Sequence, residues 1–377
     1  MKKITILLSH LGYGGISNEV ACLANNLANL YDVEILSVYR LYNEPVYELK
    51  DNVKISYISD IKPNKTEMRH YLKNKNFKMY FKGLAHRITG IFIRYIKTPI
   101  VLKKTKQDIL ITTNTLYNYL SGKFVSSNVK KIAWEHVHHN DNKKYIKKLV
   151  KSVKNVDYLV CVSEELKNHY EKLMPGKVFY IPNAIDNIPN KLSKLDSNNI
   201  TSVGKISKEK GFDDLLRLFK KITLKYPDWK LNVIGDGLYK NELLDLAKEL
   251  KLGDKVIFHG YQDKEYIKEV MLNTSIYVMT SLSEAFGISL LEAMSYGIPC
   301  VSYTSAQGAN YLIDDKVNGF LIGNRDEDEM ILKISELIEN VNLRNKMGKE
   351  ARRKSKEYLD TNIINDWQKL FKKRKKW

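Results

Sequence analysis

The chain has 377 residues, of which 44% are hydrophobic and 28% charged, and its formal net charge is +19. That length suits two α/β domains better than one, and the apolar content is enough for real cores, which excludes a disordered tail. No run of eighteen apolar residues marks a transmembrane helix, and three scattered cysteines, Cys22, Cys161 and Cys300, fit buried core thiols in a reducing cytoplasm better than a disulfide framework or a zinc site.

Residues 3–9, KITILLS, predict a first strand running into His10 and the turn Leu11-Gly12-Tyr13-Gly14-Gly15, with a helix from about Ser17 to Leu30. The apolar start is too short for a signal peptide and lacks a small-residue cleavage site. The turn offers G-x-G at Gly12 and Gly14, but the third glycine of a dinucleotide fingerprint falls on Ser17. The second strand, Val33–Val38, ends near Arg40 without an acid for a ribose. Gly14 and Gly15 are instead expected to let an acceptor or a phosphate approach the backbone.

Further strands are expected at Lys54–Ile58, Ile109–Thr112 and Lys131–Trp134. Between the first two, residues 62–106 hold one acid, Glu67, against many Lys and Arg interleaved with Phe77, Tyr80, Phe81, Ile91, Phe92, Ile93 and Tyr95. Two readings stand for this segment: a basic amphipathic helix lying on an anionic membrane surface, or a solvated helix packed on its own domain. No nucleic-acid motif accompanies it, so no nucleic-acid partner is expected. The C-terminal FKKRKKW is a second lipid contact or a frayed end.

The stretch Trp134-Glu135-His136-Val137-His138-His139-Asn140-Asp141 invites a metal reading, but His136 and His138 point apart if the strand continues, so no metal site is assigned. A strand at Asn155–Ser163, a helix at Glu164–Leu173 and a strand at Val178–Ile181 lead to Pro182–Asp186. The polar run 187–199 reads as a linker between a domain at 1–186 and a second at 200–360.

The second domain opens with Ile200–Val203 and Gly204-Lys205-x4-Lys210-Gly211. Two cations on a loop that starts a helix suit a pyrophosphate. Helix Asp213–Lys225, strand Lys230–Ile234 with Gly235-Asp236-Gly237, helix Asn241–Leu250 and strand Val256–Phe258 with Gly260-Tyr261 follow. Strand Ile276–Met279 then crosses a turn at Ser281–Glu284 into a helix from about Gly287 to Tyr296, stopped by Gly297 and Pro299. Glu284 and Glu292 bracket that helix start, whose free N–H groups attract a phosphate. Eight residues at helical rise span about 12 Å, so the two carboxylates are expected to hold hydroxyls on either side of a diphosphate, the outline of a nucleotide-sugar.

Glu284-x7-Glu292, with Phe286-Gly287 and Gly297-x-Pro299, resembles the signature of retaining glycosyltransferases of the GT-B fold, family 4. Gly204-Lys205-x4-Lys210-Gly211, Gly235-x-Gly237 and Pro182–Ile185 resemble further landmarks of that family. The resemblance implies an α/β protein of two Rossmann-like α/β/α domains facing each other across a deep cleft, with a last helix at about 361–377 returning to the first domain. It implies Gly204, Lys205, Lys210 and Gly235 around the diphosphate and Tyr261 beside the base. Glu284, aided by Phe286, Gly287, Ile288 and Ser289, would hold the sugar, and Glu292 the ribose. His136 would stand near the sugar, with His138 as the fallback. Glu284, His136, Lys210 and Lys205 are the expected catalytic set.

Two positions depart from the family pattern. Lys205 replaces an arginine and lacks its fork, and Ala285 puts a methyl where glycine is usual. The implied activity is transfer of a hexose or N-acetylhexosamine from a nucleotide-sugar, UDP-linked by class frequency, to a saccharide acceptor. That acceptor would be a polyprenyl-diphosphate-linked saccharide in bacterial capsule, exopolysaccharide or lipopolysaccharide synthesis, met at the inner face of the cell membrane by a cytoplasmic, peripheral protein. With no D-x-D at a strand end, fixed cations are expected to serve the leaving group, so no metal and no other cofactor are expected. The alternative is a catalytically silent accessory subunit of the same fold, which Lys205 and Ala285 would suit.

Overall fold

The computed structural model describes residues 1–61, 77–185 and 188–374, and in the helix beginning at Phe77 it describes side chains from residue 81 onward except that of residue 82. The chain divides into two compact units, Met1–Ile181 with Ile364–Trp377, and Pro182–Ile363.

In the first unit, β1 (Lys3–His10), α1 (Gly15–Leu27), β2 (Asp32–Tyr39) and β3 (Val53–Ser59) are followed by α2 (Phe77–Phe92) and α3 (Thr98–Lys104). Then come β4 (Ile109–Thr112), α4 (Thr115–Phe124), β5 (Lys130–Glu135), α5 (Lys143–Ser152), β6 (Tyr158–Cys161), α6 (Glu164–Leu173) and β7 (Val178–Tyr180). The seven strands form one sheet in the order β3-β2-β1-β4-β5-β6-β7, every neighbouring pair parallel. Parallel neighbours need crossovers, and helices supply them. Ile4, Ile6, Leu110, Ile111, Ile132 and Val160 are wholly buried, as continuous apolar strands covered on both faces should be.

Residues 62–76 of the basic segment lie outside the described residues. From Phe77 onward the segment is helical, with a π turn at Ile93–Lys97 joining α2 to α3. The Thr98 hydroxyl donates to the Ile93 carbonyl at 2.8 Å and Arg94 Nε donates to the Tyr39 hydroxyl at 2.8 Å. Ile93 and Leu102 are buried, whereas Phe81, Ile88, Ile91, Phe92, Tyr95, Ile96 and Ile100 are exposed. The segment is therefore pinned to β2 along one side and presents an apolar row among its cations on the other. Among the described residues no helix is long and apolar enough to cross a membrane.

The last helix, α14 (Asp360–Lys372) in the numbering completed below, sets its C-terminal part on the first unit. Trp367 is buried edge-on against Trp134 at 5.1 Å between centroids, and Phe371 meets Tyr31 at 5.7 Å. The final three residues of FKKRKKW lie outside the described residues, as do residues 186 and 187.

The second unit continues with β8 (Asn199–Val203), α7 (Phe212–Lys225), β9 (Lys230–Ile234), α8 (Lys240–Glu249), β10 (Val256–Gly260), α9 (Lys264–Leu272) and β11 (Ile276–Met279). After these come α10 (Ile288–Ser295), β12 (Cys300–Tyr303), α11 (Ala309–Leu312), β13 (Gly319–Ile322), α12 (Glu327–Glu339) and α13 (Val341–Ser355). Its six-stranded sheet runs β10-β9-β8-β11-β12-β13, again wholly parallel. Ile200, Val233, Ile276 and Val301 of the sheet pack with Leu216 and Phe219 of α7 and Ile334 of α12.

The stretch 187–199, expected as a linker, belongs in its described part to this second unit. Leu195 is buried, and its carbonyl accepts from the Arg344 guanidinium at 3.0 and 3.2 Å. Ser193 donates its N–H to the Tyr296 carbonyl at 3.0 Å and its hydroxyl to the Thr274 carbonyl. Polar composition reads as a linker only until its serines find carbonyls to bond.

β5 ends on a carboxyl group taken out of water. Glu135 is 5% exposed, accepts the Val137 N–H at 2.8 Å and accepts the Tyr145 hydroxyl of α5 at 3.0 Å on both oxygens. Burial pushes this carboxyl up to about 7, against the pull of those donors. Between the ordinary value of 4.5 and about 7 the native chain holds a proton that the unfolded chain releases, so this group's contribution to stability is lost as pH rises through that window. We expect the wild type to lose stability relative to Glu135→Gln between about pH 5 and about pH 8. Urea unfolding of both proteins at the two pH values measures the difference, and a difference that does not change with pH would contradict it.

Candidate active site

In both sheets the strand order reverses once, between β1 and β4 and between β8 and β11. Loops leaving neighbouring strands diverge there, and in open parallel sheets ligands bind outside the carboxyl ends at such a point. In the second unit the two loops are Gly204–Gly211 and Thr280–Gly287.

These loops touch backbone to backbone. Gly211 has φ +62°, and a Cβ there would lie 2.2 Å from the Thr280 carbonyl oxygen, so only glycine allows the approach. The Thr280 hydroxyl donates to the Gly211 carbonyl at 2.7 Å, and the Leu282 N–H donates to the Glu209 carbonyl at 2.8 Å. The contact sets the Lys210 ammonium against the Glu284 carboxylate as an ion pair, with the two side chains 27% and 19% exposed. Lys205, at the start of the same loop, is exposed. The Gly204 end is clamped to the β9 turn: Gly204 donates to the Ile234 carbonyl at 3.0 Å, and Gly235, at φ +141°, leaves no room for a Cβ beside the Gly204 oxygen, 1.9 Å away.

Glu284 sits on irregular backbone. α10 begins only at Ile288, after Gly287 in the left-handed region at φ +94°, so the helical span of eight residues expected between Glu284 and Glu292 does not apply. The turn is held from behind: Gly308 donates to the Glu284 carbonyl at 2.8 Å, and the Glu284 N–H donates to Gln307 Oε1 at 3.3 Å. Among the described residues no side chain caps the helix start, where Ile288 and Ser289 are half-buried. Glu292 is half-buried one turn further along. Ala285 and Phe286 are buried, and the Phe286 ring meets Tyr358 at 5.7 Å. Tyr277, wholly buried in β11, donates its hydroxyl to Ser289 Oγ at 2.8 Å and accepts the Val203 N–H at 3.3 Å, which ties the end of β8 to α10. Tyr261 is exposed just past Gly260, whose carbonyl accepts the Gly235 N–H at 2.8 Å.

The expected residues of the first unit lie in the loops after β1 and β5. Gly14 and Gly15 are exposed, but the Gly14 N–H is engaged by the Tyr47 hydroxyl at 3.0 Å. His136 tilts over Trp134 at 4.3 Å between centroids, and its Nε2 is closed off from solvent without a hydrogen-bond partner among the described residues. Burial pushes this imidazole down to about 3, so it is neutral at physiological pH. His138 is committed at both nitrogens: Nδ1 accepts the Asn140 N–H at 3.1 Å and Nε2 lies 3.3 Å from the Glu165 carboxylate. His139 stacks between His138 and His169 and takes the Asp141 N–H on Nδ1 at 3.0 Å. The histidine run thus builds a turn, and among the described residues no group of three or more His, Cys, Asp or Glu is placed to hold a metal ion.

Gly204, Lys205, Lys210, Gly235, Tyr261, Glu284, Phe286, Gly287, Ile288, Ser289 and Glu292 therefore all lie beyond strand carboxyl ends of the second sheet, with Lys210 and Glu284 in direct contact. Three residues that organise loops in one unit or the other escape a sequence reading. Tyr277 hides in an apolar strand, Glu135 looks like one more charged residue at a strand end, and Arg325 precedes a run of acids. Only the odd polar tip inside an apolar run could have marked Tyr277.

Residues 184–354 match the family described as glycosyl transferases group 1. The chain is 30% identical over 378 residues to an uncharacterized glycosyltransferase of Haemophilus influenzae, covering 97% of this chain and 99% of that one. It is 25% identical over 392 residues to the N-acetylgalactosamine-N,N'-diacetylbacillosaminyl-diphospho-undecaprenol 4-alpha-N-acetylgalactosaminyltransferase of Campylobacter jejuni, covering 97% and 98%. It is 24% identical over 381 residues to the amylovoran biosynthesis glycosyltransferase AmsD of Erwinia amylovora, covering 97% and 99%. Among solved structures, a point mutant of S. aureus TarM in complex with fondaparinux, alpha-GlcNAc-glycerol and UDP superposes with a TM-score of 0.80 at 16% identity, covering 99% of this chain and 100% of that one. The two parallel-sheet units are those of the GT-B fold. The chain belongs to the glycosyl transferases group 1 family and is a hexosyltransferase.

Proposed function

We propose that the protein moves a hexose or N-acetylhexosamine from a UDP-sugar to a lipid-linked saccharide, with retention at the anomeric carbon, during synthesis of a bacterial surface polysaccharide. The observation that carries this reading is the Lys210–Glu284 pair at the switch point of the second sheet, a cation and a carboxylate meeting beside a helix start that no side chain caps among the described residues. A diphosphate needs fixed positive charge and open amides, and a sugar needs an acceptor for its hydroxyls. TarM was crystallised with UDP, the Campylobacter relative acts on a diphospho-undecaprenol acceptor, and AmsD serves amylovoran synthesis, which supports the same chemistry here.

In this account Lys205 and Lys210, with the start of α10, balance the charge that gathers on the leaving diphosphate. Glu284 accepts from the sugar hydroxyls, aided by the amides of Phe286 and Gly287, and Glu292 binds the ribose. The bond from the anomeric carbon to the diphosphate breaks with its electron pair leaving on phosphate. The acceptor oxygen bonds on the same face, and its proton passes to the departing phosphate oxygen. The protein's own cations do this work without a divalent metal. A silent accessory subunit is the poorer reading, since Lys210 and Glu284 are both present and paired.

Melting curves with UDP, GDP, ADP and their sugar conjugates test the donor, because a ligand of the native state raises the midpoint. We expect a shift with the uridine series that EDTA leaves unchanged and that Glu292→Ala abolishes. Glu284→Ala should lower donor kcat/KM by about 100-fold or more. A shift that vanishes in EDTA would overturn metal independence, and full turnover in Glu284→Ala would overturn the site.

The exposed apolar row of α2 and α3, flanked by Arg87, Lys97, Lys103 and Lys104, is proposed to rest on the anionic inner face of the cell membrane and so bring the site to its lipid acceptor. Flotation with vesicles containing phosphatidylglycerol should carry the wild type up, and Phe92→Glu with Ile96→Glu should leave it behind. Equal flotation of both would remove this role.

A further inference from the structure

We infer that Arg325 is a positioning residue for the turn that carries Glu284, and that it governs how the site takes the sugar half of its donor. The inference rests on the donor site proposed above. Arg325 lies in the short turn Gly323–Arg325 after β13, and its guanidinium reaches three separate pieces of chain. Nη1 donates to the Ser281 carbonyl at 3.2 Å and to Ser305 Oγ at 2.8 Å. Nη2 donates to the Thr280 carbonyl at 3.1 Å and pairs with the Asp214 carboxylate of α7. The guanidinium also lies over the Tyr303 ring, 4.3 Å from its centroid. Ser305 Oγ closes the net by donating to the Ser281 carbonyl at 2.8 Å.

One cation therefore fixes consecutive carbonyls at the root of the turn whose tip is Glu284, while Gly308 fixes the Glu284 carbonyl itself. A planar fork with five donors can hold two backbone carbonyls, a hydroxyl and a carboxylate together, and an ammonium cannot repeat that geometry. The side chain is only 25% exposed, so these bonds are largely shielded from water. Of the residues assigned to the nucleotide, Gly204, Lys205, Lys210, Gly235 and Tyr261 stand on the β8, β9 and β10 loops and Glu292 lies inside α10, whereas the Arg325 bonds go to the β11 and β12 loops and to the first turn of α7. Disturbing Arg325 should consequently separate sugar recognition from nucleotide recognition.

The test uses the full chain with Arg325→Lys, and with Ser305→Ala as a milder variant should the first fail to fold. Calorimetry gives the affinity for UDP, and initial rates give kcat and KM for the uridine sugar nucleotide selected by the melting panel. We expect Arg325→Lys to bind UDP within about twofold of wild type while kcat/KM for the sugar nucleotide falls by about tenfold to a hundredfold, as a displaced contact group would cause. Ser305→Ala should shift the same ratio in the same direction by less. If UDP and sugar nucleotide weaken together, Arg325 merely holds the fold and the inference is overturned. The same follows if Glu284→Gln loses turnover but Arg325→Lys does not. If Glu284→Gln itself turns over normally, the donor-site reading fails instead.

Discussion

Everything at the candidate site depends on one close approach, that of the Gly211 backbone to the Thr280 carbonyl. Two parallel strands that lie side by side send their loops apart at a switch point, and some contact must then stop the loops from closing or drifting. Here the missing Cβ of Gly211 allows the loops to meet, and the Thr280 hydroxyl fastens them. Lys210 precedes that contact by one residue and Glu284 follows it by a short turn, so joining the backbones brings the two charges together. The ion pair is a result of the loop geometry more than its cause. Partly exposed pairs of this kind contribute modestly to stability.

The two units handle polar groups differently. Around Glu284 the turn is bonded from every side, by Arg325, Ser305, Gln307 and Gly308. Around β5 the same problem is solved by burial: Glu135 keeps its place through Tyr145 and the Val137 amide and is held near neutrality by its surroundings. His136 follows it directly; its imidazole is neutral, and its Nε2 has no hydrogen-bond partner among the described residues.

Much of this was legible in the sequence because it is local. Apolar runs broken by glycine marked the strands at Ile109–Thr112 and Ile276–Met279 and the helix Glu164–Leu173, and the spacing of Glu284, Glu292, Lys210 and Gly211 pointed to one site. What the sequence hid is long-range. Arg325 acts on carbonyls more than forty positions away through contacts that no spacing rule encodes. Ser193 and Leu195 of the polar stretch after Pro182 find partners on α13 and beside α10, bonds that composition alone does not reveal. The partners of His138 also needed coordinates, because no spacing rule shows its ring bonded to both Asn140 and Glu165.

Lys210 and Glu284 are proposed to hold two parts of one donor. A double-mutant cycle with Lys210→Met and Glu284→Gln, read by calorimetric affinity for the sugar nucleotide, tests it directly. Groups that share a ligand and touch each other should couple by about 1 kcal/mol or more. Effects that add within about 0.5 kcal/mol, or variants that bind the donor like wild type, would contradict the account.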